Sequence, residues 1–189
     1  MKKIAVLFGL LVGFSCTQPK DNISPTAQLI SNVSIVDVQT GTIWENRQVV
    51  VDSGIIVHIT DIVENAKSYP LQIDGKGKYL VPGLAEMHAH IPPPSTDPQR
   101  IEETLFLYLS NGITTIRGML GDPAHLILRE KAKNGEILSP RIFTSSPSLN
   151  GNTVTSKTEA IEKVTAYQKE GYDFLKIHPG VPLEAFDQM

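Results

Sequence analysis

The sequence has a single cysteine, Cys16, so no disulfide can form within the chain and packing must hold the fold. It has no Lys/Arg-rich run. Its 17 basic and 20 acidic residues leave a formal net charge of -3, which gives no electrostatic reason to expect DNA, RNA or another anionic surface as a partner. It also lacks an apolar run of the roughly 20 residues that a bilayer-spanning helix needs. At 41% hydrophobic and 20% charged over 189 residues, the composition excludes a disordered or collagen-like chain and allows a real core.

Residues 1–16 carry export-signal grammar: Met1-Lys2-Lys3, an apolar run from Ile4 to Val12, then Gly13-Phe14-Ser15-Cys16 before a cleavage point. Ser15-Cys16 resembles the lipobox of bacterial lipoproteins, whose cysteine takes a lipid and becomes the new amino terminus, although Gly13 stands where that pattern prefers Leu. The expectation is an exported protein, periplasmic or tethered to a membrane through a lipid on Cys16. Residues 17–28, with Pro19, Asn22, Ser24 and Pro25, read as a polar tether.

From residue 29 to 80 short apolar stretches alternate with turn residues. Val33 to Val38 precedes Thr40-Gly41, Gln48 to Val51 precedes Asp52-Ser53-Gly54, and Ile55 to Ile59 follows. This is antiparallel hairpin grammar and predicts a small β-sandwich domain. Over 81–189 the grammar changes to strands alternating with helices, as in parallel β/α units. Asp97-Pro98, Asp122-Pro123 and Ser156 with Glu159 open helices, and Asn111-Gly112, Asn134-Gly135 and Gly171 close them. Ile101, Leu105 and Leu109 mark the buried face of the first helix, and Ile161, Val164 and Tyr167 that of the third. The predicted strands are Leu84 to His90, Ile113 to Arg117, Arg141 to Ser145 and Phe174 to His178. Four such units are half of an eight-stranded β/α barrel, which typically needs about 250 residues, so the expected fold is the first half of a TIM-like barrel, incomplete in this chain.

The most informative segment is Pro82-Gly83-Leu84-Ala85-Glu86-Met87-His88-Ala89-His90. Side chains two apart in a strand share a face, roughly 6.7 Å apart by backbone rise, so two imidazoles can converge on one cation. Neutral imidazole suits zinc and similar divalent metals. A bare His-x-His is weak evidence, since paired histidines that are merely exposed or hydrogen-bonded are common. Three stretches in order give it context: Asp74 to Gly83 leading into the pair, Asn111 to Arg117, and Tyr172-Asp173-Phe174-Leu175-Lys176-Ile177. Over residues 29–189 they resemble the amidohydrolase superfamily, with Glu86 standing where the family pattern has Asp.

The resemblance implies a metal-dependent hydrolase of amide-like bonds in a small molecule or small peptide, working through a metal-activated water. It implies His88 and His90 as ligands of a divalent cation, zinc first, with one or two ions in the complete enzyme. It also implies Lys176, carboxylated by carbon dioxide, as a bridge between two ions; the competing reading is a lysine reaching from the strand end into solvent. The Lys-containing fourth strand looks like the imidazolonepropionase-like and prolyl-dipeptidase-like branch. The further histidines and the aspartate of the family pattern would lie beyond this chain. Arg117, on a strand-end rim, is a candidate for an anionic substrate group or for a structural ion pair, and His178 for substrate contact or a plain rim position. His58 and His125 read as surface residues. Two alternatives stand beside this reading: a mononuclear deaminase or esterase of the same superfamily, and a non-catalytic half-barrel acting as an exported binding protein.

Overall fold

The structure is a computed structural model that describes residues 23–95 and 97–189; the export signal and Cys16 lie outside the described residues. The chain divides into two compact units, Met1–Val81 and Pro82–Met189. Among the described residues no helix is long and apolar enough to cross a membrane.

In the first unit, strands β1 (Gln28–Val36), β2 (Ile43–Asp52) and β3 (Ile55–Thr60) pair antiparallel. The β2–β3 turn is made by Ser53 and Gly54 at φ 50° and 77°, the doubly left-handed pair that a tight hairpin requires. The antiparallel expectation fails for β4 (Leu71–Asp74) and β5 (Tyr79–Leu80), which both run parallel to β1. The segment between β3 and β4 carries the chain back across the sheet, a crossover that turn residues do not encode. All five strands join in one sheet, ordered β3-β2-β1-β4, with β5 also on β1. Leu29, Val33, Val49 and Val50 form its buried part. Ala27 is also buried and Thr26 Oγ1 donates to Asp52 at 2.6 Å, so the end of the expected tether belongs to this sheet.

The second unit is a four-stranded parallel sheet in the order β6-β7-β8-β9, formed by β6 (Leu84–Ala89), β7 (Ile113–Gly118), β8 (Arg141–Leu149) and β9 (Phe174–Ile177). Helices α1 (Pro98–Ser110), α2 (Pro123–Lys133) and α3 (Lys157–Glu170) connect them, and α4 (Leu183–Phe186) follows. Each of the first three starts where cap chemistry places it. Asp97 accepts from Gln99 N, Asp122 from Ala124 N and Ser156 from Glu159 N. Gly171 ends α3 at φ 93°. Ala89, Ile116 and Ile142 pack with Leu105 in one core; Leu149 packs with Val154, Ala160 and Ala185 in a second. Ala160, rather than Ile161, is the buried residue of α3; Ile161 is half exposed, one helical position off the sheet-facing stripe. The four β/α units make the expected half-barrel.

Candidate functional site at the carboxyl ends of the strands

His88 and His90 flank Ala89, which is buried in the core between sheet and helices, so period-two alternation puts both imidazoles on the other face. Both side chains are accessible and their ring centroids are 5.3 Å apart, tilted by 48°. The strand end is pinned on each side. The half-buried Glu86 carboxylate accepts from His88 N at 2.9 Å, so an acid holds the backbone at the motif. Tyr108, from α1, accepts from His90 N and donates to His90 O, each at 3.3 Å.

The loop after His90 meets His125, which is buried and not at the surface where the sequence placed it. His125 is 2% exposed, and its Nε2 lies 3.4 Å from the carbonyl oxygen of Pro92. Burial holds its imidazole below the ordinary value. His125 stands on the first turn of α2, just after its Asp122 cap, and meets the loop through this contact, which the composition around position 125 did not reveal. His58 is exposed, as expected.

Lys176 lies on β9, with its backbone N donating to Ser146 Oγ at 3.1 Å and its Cα opposite Ser148. Its neighbour Leu175 packs into the second core, so Lys176 faces the other way, with Phe174 and His178. It is half-buried and has no ion-pair partner among the described residues. The start of β9 is stapled by Asp173, whose carboxylate takes Arg129 Nη1 at 2.9 Å and Thr144 N at 2.8 Å, while Arg129 Nη1 also donates to Gly171 O at 2.9 Å. Arg117 makes no ion pair among the described residues; its guanidinium lies over the Phe174 ring, 4.6 Å from the centroid. His178 Nδ1 meets Ser148 Oγ at 2.5 Å.

The candidate residues therefore share the carboxyl ends of the strands, but β6 and β9 are the two edges of the sheet. Three interstrand steps of about 4.8 Å separate the histidine pair from Lys176, about 14 Å measured along the sheet, so only its curl can bring them to one ion. No group of three or more His, Cys, Asp or Glu side chains able to hold a metal occurs among the described residues. The residues present fit one side of a cation site: two accessible imidazoles of neutral donor type and a half-buried amine without a counter-ion. A cavity of about 790 Å³ lies at the opposite, amino end of β7–β9, lined by Thr115, Arg129, Arg141 and Asp173 among others, and so away from this chemistry. Sequence reasoning missed Tyr108, Arg129, Ser146, Ser148 and Asp173, because each acts through a partner on another element.

The site is thus a pair of histidines at the mouth of the first strand of a parallel β/α half-barrel. No family model matches the chain. An adenine deaminase of Desulforamulus reducens is 34% identical over 92 residues, covering 49% of this chain and 15% of that protein. A dihydroorotase of Carboxydothermus hydrogenoformans is 36% identical over 89 residues, covering 47% of this chain and 20% of that protein. Among solved structures, a candidate prolidase from Bifidobacterium longum superposes with a TM-score of 0.68 at 28% identity, covering 80% of this chain and 40% of that one. These proteins are members of the amidohydrolase superfamily, and it is to them that the chain is similar in sequence and in fold. It spans no more than a fifth of the length of these two curated relatives.

Proposed function

We propose that the protein is a metal-dependent hydrolase of amide-like bonds in a small molecule or small peptide, exported and held at a membrane by a lipid on Cys16. The observation that carries the catalytic reading is the pair of accessible imidazoles, 5.3 Å apart, at the mouth of β6. In this reading His88 and His90 hold one divalent cation, zinc first. Lys176, after its amine has added to carbon dioxide and lost a proton, would bridge that cation and a second one. A cation bound there would acidify a water toward neutral pH and polarise the scissile carbonyl. The chain's own residues supply the rest: Glu86 and Tyr108 orient the histidine backbone, the cores behind β6–β9 exclude water from the outer face, and Arg117 takes an anionic group of the substrate. The likeness to a candidate prolidase supports a dipeptide-type substrate.

The likeness to an adenine deaminase favours a second reading, a single-ion deaminase without the lysine bridge. Metal analysis of the complete protein separates the two: about two ions per molecule supports the bridge, and one supports the deaminase-type site. His88→Ala in the complete protein is expected to lose metal and nearly all hydrolysis of a panel of dipeptides and cyclic amides. A variant that kept both would remove His88 from the site.

A further inference from the structure

We propose that His178 is a fixed hydrogen-bond donor to the carbonyl oxygen of the substrate, held in one tautomer by a relay that runs from Asn150 through Ser148. The inference rests on the hydrolase reading and adds to it the group that meets the oxygen of the bond being cleaved. Asn150 Nδ2 donates to Ser148 Oγ at 3.2 Å, and Ser148 Oγ lies 2.5 Å from His178 Nδ1. A serine hydroxyl has one proton to give. Ser148 Oγ has no other acceptor among the described residues, and in the proposed relay that proton is directed to Nδ1. Nδ1 then accepts, which places the ring's own proton on Nε2.

Both ends of the relay are anchored. The Asn150 side chain accepts from Asn152 N at 2.9 Å while its backbone N donates to Thr153 Oγ1 at 2.8 Å, and His178 N donates to Leu149 O at 2.8 Å. The bulge in the β8–β9 pairing, with Ser145 opposite Phe174 but Ser148 opposite Lys176, is what brings the Ser148 hydroxyl up to the His178 ring. The free Nε2–H has no protein acceptor among the described residues. It sits one period-two step beyond Lys176 on the same face, half-buried, at the carboxyl mouth where the barrel class does its chemistry.

As water adds to the carbonyl carbon, the π pair moves onto the oxygen, and a neutral N–H aimed there holds the growing negative charge without giving up its proton. The carbon–nitrogen bond then breaks, and the amine leaves with a proton taken from the added water. His178 is thus the catalytic residue, and Ser148 and Asn150 are positioning residues.

The test uses the complete, metal-loaded protein. Long-range proton–nitrogen NMR of ¹⁵N-histidine-labelled enzyme should show the Nε2-protonated tautomer for His178, and Ser148→Ala should lose that single signature. His178→Phe should lower kcat about 100-fold at unchanged metal content, as loss of one oxyanion donor does. Ser148→Ala should lower kcat about tenfold with little change in KM, and Ser148→Thr, which keeps the hydroxyl, should recover most of it. An Nδ1-protonated ring, or an active parent whose kcat is unmoved by His178→Phe, overturns the donor role alone. A parent that hydrolyses no amide in the panel sinks the hydrolase reading and this role with it.

Discussion

Lys176 is the residue whose chemistry most distinguishes the two catalytic readings. Under the bridged reading, Lys176→Ala abolishes hydrolysis and small carboxylic acids partly restore it by occupying the place of the carbamate. Activity assays with and without added acetate or propionate check this, and full two-ion binding without the acid would place the bridge elsewhere. His125 carries a different prediction. Its folded-state pKa lies below the ordinary 6.5 because burial disfavours the imidazolium. Above that value both folded and unfolded chains hold it neutral; below it the unfolded chain takes a proton that the folded one resists. Stability is therefore expected to fall as pH drops from about 6.5 through the folded value, and then to level off. Urea midpoints measured across that range should show the step in the parent and lose it in His125→Gln. His125 was illegible in the sequence because a histidine on the first turn of a helix is usually solvated. Only the fold shows that the Pro92 loop covers it. His88 and His90 were legible because period-two geometry is local and needs no knowledge of the partner strand.

At the scale of elements, what the sequence encoded locally emerged in place, and what tertiary pairing decides did not. Asp97-Pro98, Asp122-Pro123 and Ser156 each state a helix start in their own side-chain chemistry, and each helix begins one residue later. The Ser156–Glu159 box differs in one detail: Glu159 turns back to Thr155, accepting its N–H at 2.7 Å and its hydroxyl at 2.8 Å, rather than to the cap residue. Ser156→Ala is expected to cost about 1 kcal/mol, measured by chemical denaturation. By contrast, nothing local announces that β4 and β5 return parallel to β1, or that β8 runs on to Leu149 past Pro147 by bulging. Gly121 is another position fixed from outside its own element. A Cβ there would fall 1.6 Å from the Ser145 carbonyl oxygen, and its N–H donates to Ser146 O at 3.1 Å. Gly121→Ala is accordingly expected to destabilise the second unit by about 3 kcal/mol, with a lowered urea midpoint as the readout.

For the molecule as a whole, the sequence announced the half-barrel by its repeating β/α grammar, yet it could not show how far apart that architecture sets the candidate ligands. In the described residues β6 and β9 each leave one row of backbone donors and acceptors unpaired in the sheet. Ile55, Ile56, Ile59, Ile62 and Leu71 of the first unit are all at least 45% exposed, an unusual apolar load for a free surface. The 189-residue chain on its own is expected to self-associate at micromolar concentration, which sedimentation velocity would detect; a stable monomer would contradict it. The placement of the histidine pair on one border and the lysine on the other has a consequence for how the proposed site would form. In an eight-stranded barrel these two strands do not meet, so an ion held by both would act as a strut across the mouth, and its site would form only as the sheet takes up its full curl. A substitution far from any ligand that flattens that curl would then register first as weakened metal retention, and stripping the ion would register as a looser, more protease-sensitive barrel.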